Sequence, residues 1–365
     1  MQSTPNIESL LPLLPENITK FAYEKVQQGK GLFGLVHKNI SYDLLKTFLP
    51  QRKSETKPLS RKTLLELEKK RSKLVEVDWQ DAEKGVYPVS ILFDNPWQDF
   101  FRYYPELWID MPQMWQRIQE KQFQNFSFEV DRESYPAYYL QNFHYQTEGY
   151  LSDMSANLYD LQVEILFNGS ADAMRRRILA PLKEGLDKNT SDRQIKLLDV
   201  ACGTGRTLRF LRATLPKASL YGVDLSTAYL RKANQLLSEI PGELPQLAQA
   251  NGEELPYLDD YFHGVTSVFL FHELPPGARQ EVINEAFRVT KPGGIFIICD
   301  SLQIGDIPEL ETMINNFPLQ YHEPYYKDYI TDNLAERLEK AGFENIQVEN
   351  HFVSKYWIAH KPKNG

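Results

Sequence analysis

The 365-residue sequence is poor in cysteine, with only Cys202 and Cys299. Two cysteines cannot form the disulfide framework of a small secreted domain, so we expect both to be free thiols. Long apolar runs are also missing. The longest uncharged apolar runs, such as 264–271 and 293–299, are far shorter than the roughly 18 residues that a membrane-spanning helix needs. These absences exclude a disulfide scaffold and a helical integral membrane protein.

A basic segment ahead of the first apolar residues is missing as well. Four leucines lie between positions 10 and 14, but Pro12 and Pro15 interrupt them and no Lys or Arg precedes them. This pattern is not typical of a secretory signal peptide, so we expect a cytoplasmic protein.

Basic charge is in deficit over the whole chain, with a net charge of −8. This balance argues against a surface built to hold nucleic acid, and we expect no DNA partner. One stretch, 51–73, is nevertheless basic, with nine Lys or Arg against three Glu. From Ser60, a candidate N-cap, apolar residues at helical spacing predict an amphipathic helix with a basic outer face: Leu64, Leu67, Leu74 and Val75. Such a face is usually just solvated. The alternative is docking to an acidic partner or an anionic membrane surface.

Aromatic residues divide the chain. Residues 87–150 hold 18 aromatics in 64 positions, about 28%, against 12% for the whole sequence. We therefore predict a mainly helical, aromatic-rich region over 1–150 and a second domain over 151–365. The second domain starts with a helix over 155–166 and another capped by Ser170, in which Arg175, Arg176 and Arg177 are expected to form surface or interhelix ion pairs.

After Arg193, short apolar strands alternate with helices. The strands are predicted at 195–200, 220–223, 246–250, 264–270 and 295–299, and helices lie between them. This alternation predicts an α/β fold with a parallel sheet covered by helices on both faces. Ligands of such sheets bind outside the carboxyl ends of the strands.

The first predicted strand runs into a glycine turn, in the segment LLDVACGTGRT over 197–207. Gly203 and Gly205 lack the Cβ that would keep a ligand away from the backbone. A dinucleotide-binding fingerprint would place a third glycine where Leu208 stands, and the lysine of a phosphate-binding P-loop is also absent. The turn therefore argues against a nicotinamide enzyme and an ATPase.

Two acidic residues accompany the turn. Asp199 lies just before it, where it can orient the loop or meet an ammonium group through a water. Asp224 ends the next strand, nineteen residues after Gly205, a position from which a carboxylate can accept hydrogen bonds from both hydroxyls of a ribose. The alternative for Asp224 is an acidic residue favoured by a helix N-terminus.

These segments resemble class I S-adenosylmethionine-dependent methyltransferases. DVACGTG over 199–205 and GVDLS over 222–226 are similar to the first two motifs of that family, and ANGEELPY over 250–257 and RVTKPGG over 288–294 are similar to two later ones. The fourth is typical of the methyltransferase type 11 branch that includes the ubiquinone and menaquinone C-methyltransferases. The resemblance spans the core region 195–361. It implies a Rossmann-like, seven-stranded, mostly parallel sheet with the last strand antiparallel.

The resemblance also implies the cofactor, S-adenosyl-L-methionine, and the residues that hold it. Two positions depart from the common pattern: Ala201 replaces a glycine, and Asn251, which would contact the adenine amino group, replaces an aspartate. The implied cofactor-binding residues are Asp199, Ala201, Gly203, Gly205, Asp224, Leu225, Asn251, Gly252 and Glu253.

His272 and Glu273 follow the fourth strand, a position that lies beside the transferred methyl group in this family. A histidine there can take a proton from a phenol, an enol or an acidic carbon, or it can simply hold the loop. The segment lacks the Asn-Pro-Pro-Tyr type of motif used to methylate base amines, which weakens a DNA or RNA amino-methylation role.

The acceptor pocket is expected outside the sheet. Segments 144–150 and 321–329 are rich in aromatics and occupy positions that form a lid in this family; the candidate substrate residues are Tyr145, Tyr150 and Tyr325. For each of them the alternative is ordinary core packing. No metal site is expected, because the seven histidines and two cysteines show no ligand spacing.

The leading hypothesis is an enzyme that methylates the carbon or oxygen of a small, hydrophobic or aromatic metabolite. The alternatives are a protein or RNA methyltransferase, for which the basic stretch would recruit the partner, and a non-catalytic scaffold that keeps the methyltransferase fold. A nicotinamide oxidoreductase ranks last.

Overall fold

The computed structural model describes residues 15–48, 56–187 and 190–363. The N-terminal leucines and the first five residues of the basic stretch lie outside these ranges. Of the described helices, none has an apolar stretch of the length and composition needed to span a bilayer.

Three long helices begin the chain: α1 (Glu16–Phe48), α2 (Arg61–Glu83) and α3 (Trp97–Glu120). The predicted start of α2 is confirmed, because the Ser60 hydroxyl accepts a hydrogen bond from the Thr63 amide and satisfies a helix donor that has no other partner. Leu74 and Val75 are buried, as the amphipathic pattern predicts. Leu64, in the first turn of α2, is instead 53% exposed.

Three shorter helices follow: α4 (Asp153–Leu166), α5 (Ala171–Arg176) and α6 (Leu179–Gly185). Helix α4 buries Leu158, Leu161 and Ile165. The prediction of one helix capped by Ser170 is wrong, since the Ser170 hydroxyl makes no capping bond and α5 ends six residues later. The Arg177 and Ile178 amides donate to the carbonyls three residues back, at Met174 and Arg175, and this tighter turn interrupts the α-helix before α6.

The three arginines at the end of α5 form buried ion pairs. Arg176 donates two hydrogen bonds to Asp78 of α2, and the Nη2–Oδ2 distance is 2.6 Å. Arg177 pairs with Asp81 of the same helix, and Arg175 pairs with Asp172. The expected interhelix pairs are therefore confirmed, whereas a surface location is wrong. Helix α2 packs on α5, so these side chains are covered.

The sheet has seven strands: β1 (Lys196–Val200), β2 (Ser219–Asp224), β3 (Gln246–Gln249), β4 (Phe262–Val268), β5 (Thr290–Ser301), β6 (Glu344–His351) and β7 (Ser354–His360). Their order is β3-β2-β1-β4-β5-β7-β6. Strands β1 to β5 pair in parallel, and β7 is antiparallel to both β5 and β6. The predicted α/β fold and the antiparallel last strand are confirmed.

The connecting helices are α7 (Arg206–Thr214), α8 (Thr227–Ser238) and α9 (Pro276–Val289), followed after β5 by α10 (Glu311–Gln320), α11 (Tyr326–Tyr329) and α12 (Leu334–Ala341). Helix α12 begins after Asn333, whose side chain caps it by accepting a hydrogen bond from the Glu336 amide. Gly342 ends it with a φ of 107°, a left-handed conformation that glycine adopts without strain.

One hydrophobic cluster joins the N-terminal helices to the sheet. Trp79 of α2 and Ile91 pack in the same buried group as Ile178, Leu197 and Ile297. The first 150 residues thus contribute to the core on one face of the sheet. The division at residue 150 stays a prediction.

Candidate active site

The turn after β1 brings three residues with positive φ close together: Ala201 at 58°, Gly203 at 54° and Gly205 at 80°. The Cys202 amide donates to the Val223 carbonyl of β2 and holds the turn against the neighbouring strand. A Cβ on Gly205 would lie 3.0 Å from the Leu237 side chain. Gly205 is therefore needed both for its backbone conformation and for the close approach of α7 to α8.

Asp224 ties the turn to the end of β2. Its Oδ2 accepts from the Gly203 amide at 2.9 Å, and its Oδ1 accepts from the Ser226 amide at 2.8 Å. Burial raises the pKa of Asp224 to about 6, although both amide bonds act in the opposite direction. The carboxylate is thus oriented by backbone groups at the edge of a cavity, with acceptor capacity left for a ligand.

The strand-end cavity lies beside the carboxyl ends of β1, β2 and β4. Of the residues predicted to bind a ligand, eight line it: Ala201, Gly203, Asp224, Leu225, Asn251, Gly252, Glu273 and Tyr150. The cavity therefore brings together residues from five separate sequence segments at the edge of the sheet where a parallel α/β fold binds its ligands.

Asp199 does not line the cavity. Its Oδ1 accepts from the Thr266 hydroxyl of β4 at 2.7 Å, and burial raises the pKa of Asp199 to about 7. This bond joins β1 to β4 just before the glycine turn. Gly205 likewise lies behind the lining, at the start of α7.

The segment after β3 forms another side of the cavity. The Asn251 Oδ1 accepts from the Glu253 amide at 3.1 Å, which closes a tight turn. A Cβ on Gly252 would come within 3.1 Å of Val200. Glu253 does not line the cavity, and its Oε1 accepts from the Tyr138 hydroxyl at 2.6 Å and from the Asn251 side-chain amide at 3.1 Å.

Comparison with known proteins accords with this geometry. The family described as "Methyltransferase domain" matches residues 197–294. The chain is 32% identical over 196 residues to a demethylmenaquinone methyltransferase of Geobacillus stearothermophilus, an alignment that covers 48% of this chain and 81% of that protein. The chain belongs to the class I S-adenosylmethionine-dependent methyltransferases. Its cofactor is S-adenosyl-L-methionine.

Two further similarities are more distant. A demethylmenaquinone methyltransferase of Anoxybacillus flavithermus is 27% identical over 209 residues, which is 51% of this chain and 86% of that protein. The solved phosphoethanolamine N-methyltransferase 2 of Haemonchus contortus, in complex with S-adenosyl-L-methionine, is 18% identical, with a TM-score of 0.40; the match covers 51% of this chain and 52% of that chain.

The methyltransferase places His272 and Glu273 in a single helical turn after β4, but only Glu273 lines the cavity. His272 lies behind it, with its Nδ1 2.7 Å from Asp300 Oδ1. Burial alone would lower the pKa of His272, but the Asp300 carboxylate raises it to about 9. In this state the ring already carries its proton at neutral pH, which does not suit a general base. A catalytic role for either residue stays a prediction.

Glu273 is surrounded by polar groups from distant segments. Its Oε1 accepts from the Tyr150 hydroxyl at 2.5 Å and lies 3.6 Å from His144 Nε2. The other nitrogen of His144 is 2.9 Å from Glu323 Oε1. Burial alone would lower the pKa of His144, but Glu323 and Glu273 raise it to about 10. Two carboxylates and two imidazoles thus meet at one end of the strand-end cavity.

The three predicted substrate tyrosines separate in the structure. Tyr150 lines the strand-end cavity. Tyr325 lies behind its wall, where its ring packs edge-on against Tyr138 and its hydroxyl accepts from Gln141. Tyr145 lines a second cavity. Their roles toward an acceptor stay predictions.

This second cavity, the helical cavity, lies among α1, α3 and α4. It is lined mostly by apolar and aromatic side chains, among them Leu107, Met111, Trp115, Val163, Ile165 and Leu166. Tyr159 lines both cavities, and His144 lines the helical cavity next to the Glu273 end of the strand-end cavity. The two cavities therefore meet near the group formed by His144 and Glu273.

Sequence reasoning missed several aromatic residues of the strand-end cavity: Tyr138, Tyr139, Phe143, Tyr159, Tyr229 and Phe269. The signal was present for the first three, which lie in the aromatic-rich stretch directly ahead of segment 144–150. Phe269 has a φ of 61° at the end of β4, a conformation that a bulky residue adopts only under tertiary constraint.

Proposed function

We propose that this methyltransferase methylates the carbon or oxygen of a small acceptor that combines a flat ring with a hydrophobic substituent. The observation that carries the proposal is the junction of the two cavities. The ring would lie at the aromatic, Glu273 end of the strand-end cavity, and the substituent would extend past Tyr159 into the apolar helical cavity.

The residues of the strand-end cavity fit the cofactor. Asp224 would accept hydrogen bonds from the ribose hydroxyls, and the left-handed backbone at Gly203 would allow close approach of the ligand to the turn. Asn251 and Leu225 would contact the adenine side. When bound, the cofactor supplies a methyl carbon already activated by the positive sulfur.

The chain's own residues then orient the acceptor and exclude water. Tyr139, Phe143 and Tyr150 would enclose the ring with apolar surface. Glu273 would contact a polar group of the acceptor, and His272, held by Asp300, would position Glu273. Quinone-ring acceptors match this description, and the names of the related demethylmenaquinone methyltransferases support the same class.

The test is transfer of a labelled methyl group from S-adenosylmethionine to a panel of purified acceptors. We expect turnover with reduced demethylnaphthoquinones and phenols that carry an alkyl or prenyl chain, and none with protein or RNA fractions. Turnover restricted to the protein or RNA fractions would contradict the proposal and favour the macromolecular alternative.

A further inference from the structure

We propose that His144, His272, Glu273 and Glu323 form a binding site for one divalent transition-metal ion at the junction of the two cavities. The role given to the ion rests on the function proposed above, whereas its binding does not. The four residues come from three segments of the chain, so no spacing in the sequence predicts the site.

The four side chains place their ligand atoms close together. One ligand atom from each residue can be chosen so that all four lie within 4.8 Å of one another. His144 Nε2 is 3.6 Å and His272 Nε2 is 3.8 Å from Glu273 Oε1. Donors bound at about 2.0–2.2 Å in a tetrahedron are about 3.4 Å apart, so a contraction of up to about 1.4 Å in the longest separation would close the site.

The partners behind these ligands are those that metal sites use. His272 faces Asp300 with its Nδ1, which leaves Nε2 directed to Glu273. Asp300 is fixed in turn, because its Oδ2 accepts from the Phe271 amide at 2.7 Å. Tyr150 donates to Glu273. A carboxylate behind a histidine and a donor behind a carboxylate orient ligands toward an ion.

Glu323 gives an independent indication. Its side chain is fully buried, and its Oε2 has no hydrogen-bond partner among the described residues. The nearby group is His144 Nδ1, at 2.9 Å. A buried carboxylate is costly unless it is paired or coordinates a metal. With Glu273 and Asp300, three carboxylates surround the two imidazoles, and a divalent ion bound here would take the place of the two imidazole protons.

The donor set defines the class of ion. Two imidazoles and two carboxylates suit Zn²⁺, Fe²⁺, Mn²⁺ or Co²⁺, in contrast to the all-oxygen shells preferred by Ca²⁺ and Mg²⁺. Because Glu273 lines the strand-end cavity, a fifth ligand could reach the ion from that cavity if the coordination expands beyond the four side chains. An anionic oxygen of the acceptor, such as a phenolate, is the ligand that such a position takes.

The experiment measures binding of Co²⁺ and Zn²⁺ to the full chain after removal of metals with a chelator. We expect about one ion per chain and a cobalt absorption band typical of mixed nitrogen and oxygen ligands. Glu323→Gln and His144→Gln should each weaken binding at least tenfold. His360→Gln is the matched control. His360 pairs with Ile295 of β5, at the end of the sheet opposite the proposed metal site.

Binding of less than a tenth of an ion per wild-type chain would overturn the proposal without reference to any variant. Equal affinity in the wild type and in the Glu323 and His144 variants, with thermal unfolding unchanged, would overturn it as well. Methyl transfer that persists in chelator, in a protein that binds no ion, would reject the site and leave the proposed function intact. Metal binding without turnover of any small acceptor would support the site and count against that function.

Discussion

The glycine turn and the aromatic wall both line the strand-end cavity, but they are built in different ways. The turn comes from five consecutive residues, 201–205, and its amides bond to Val223 and Asp224 at the end of the neighbouring strand β2, about twenty residues on. The wall depends on contacts such as the bond between Gln141 and Tyr325, 184 residues apart. The turn can therefore be understood from two neighbouring motifs, whereas the wall requires that the N-terminal helices dock correctly.

The docking of the N-terminal helices should be the most sensitive part of the molecule. Asp78 is fully buried and accepts from Arg176, Tyr23 and Tyr87. Asp78→Ala would leave a buried guanidinium without its partner, so we expect the free energy of unfolding to fall by about 3–5 kcal/mol. Chemical denaturation measures this loss.

The control for Asp78 is Glu76→Gln on the same helix. Glu76 pairs with Lys20 near the surface, and such pairs contribute about 1 kcal/mol or less. Equal losses in the two variants would show that the buried pair does not hold the helices together.

The Asp224 side chain should affect ligand binding. Asp224→Ala removes the predicted acceptor of two ribose hydrogen bonds, each worth about 1.5 kcal/mol when one partner is charged, so we expect about a hundredfold loss of affinity for S-adenosylhomocysteine. Isothermal titration measures it. Asp153→Ala, which removes an exposed carboxylate paired with Arg231, should bind like the wild type. An unchanged affinity in Asp224→Ala would remove Asp224 from the cofactor site.

Gly205 tests the backbone of the turn. An alanine there would have a φ of 80° and a Cβ 3.0 Å from Leu237, so we expect Gly205→Ala to destabilise the fold by about 1–2 kcal/mol. Gly277→Ala is the matched control, because nothing lies within 4 Å of its Cβ. Thermal unfolding of both variants measures the loss of stability. An equal loss in Gly277→Ala would contradict a special requirement for glycine at position 205.

The pH dependence of binding isolates Asp224 further. Its pKa of about 6 means that the carboxylate is ionised at pH 7 and mostly protonated at pH 5. Ribose hydroxyls donate to the ionised form, so affinity should be constant above about pH 7 and fall about tenfold by pH 5, in proportion to the ionised fraction. Asp224→Asn should remove this dependence. If Asp224→Asn shows the same pH profile, another group is responsible for the pH dependence of affinity.

The contrast between turn and wall also explains how much the sequence predicts. The strands, the glycine turn, the Ser60 cap and the position of Asp224 follow from local periodicity and turn chemistry, and each is confirmed as structure. The end of α5, the burial of Arg176 and the exposure of Leu64 depend on how helices dock, which local patterns do not specify.

The residues of the candidate site also differ in how far the sequence predicts them. Glu273 is predicted because the family resemblance implies that the segment after the fourth strand lies beside the transferred methyl group. His144 and Glu323 are 2.9 Å apart in space but lie in two aromatic segments, where packing and chemistry look alike in sequence. Spacing along the chain therefore predicts no metal ligands there.

The central claim is that the acceptor ring binds near Glu273 while its hydrophobic substituent occupies the helical cavity. The most direct test compares kcat/KM for a tailed and a tail-less acceptor in the wild type and in Val163→Phe, with Val348→Phe on the exposed face of β6 as control. We predict that Val163→Phe lowers kcat/KM for the tailed acceptor about tenfold and leaves the tail-less one and the control unchanged. Equal effects on both acceptors would contradict the claim.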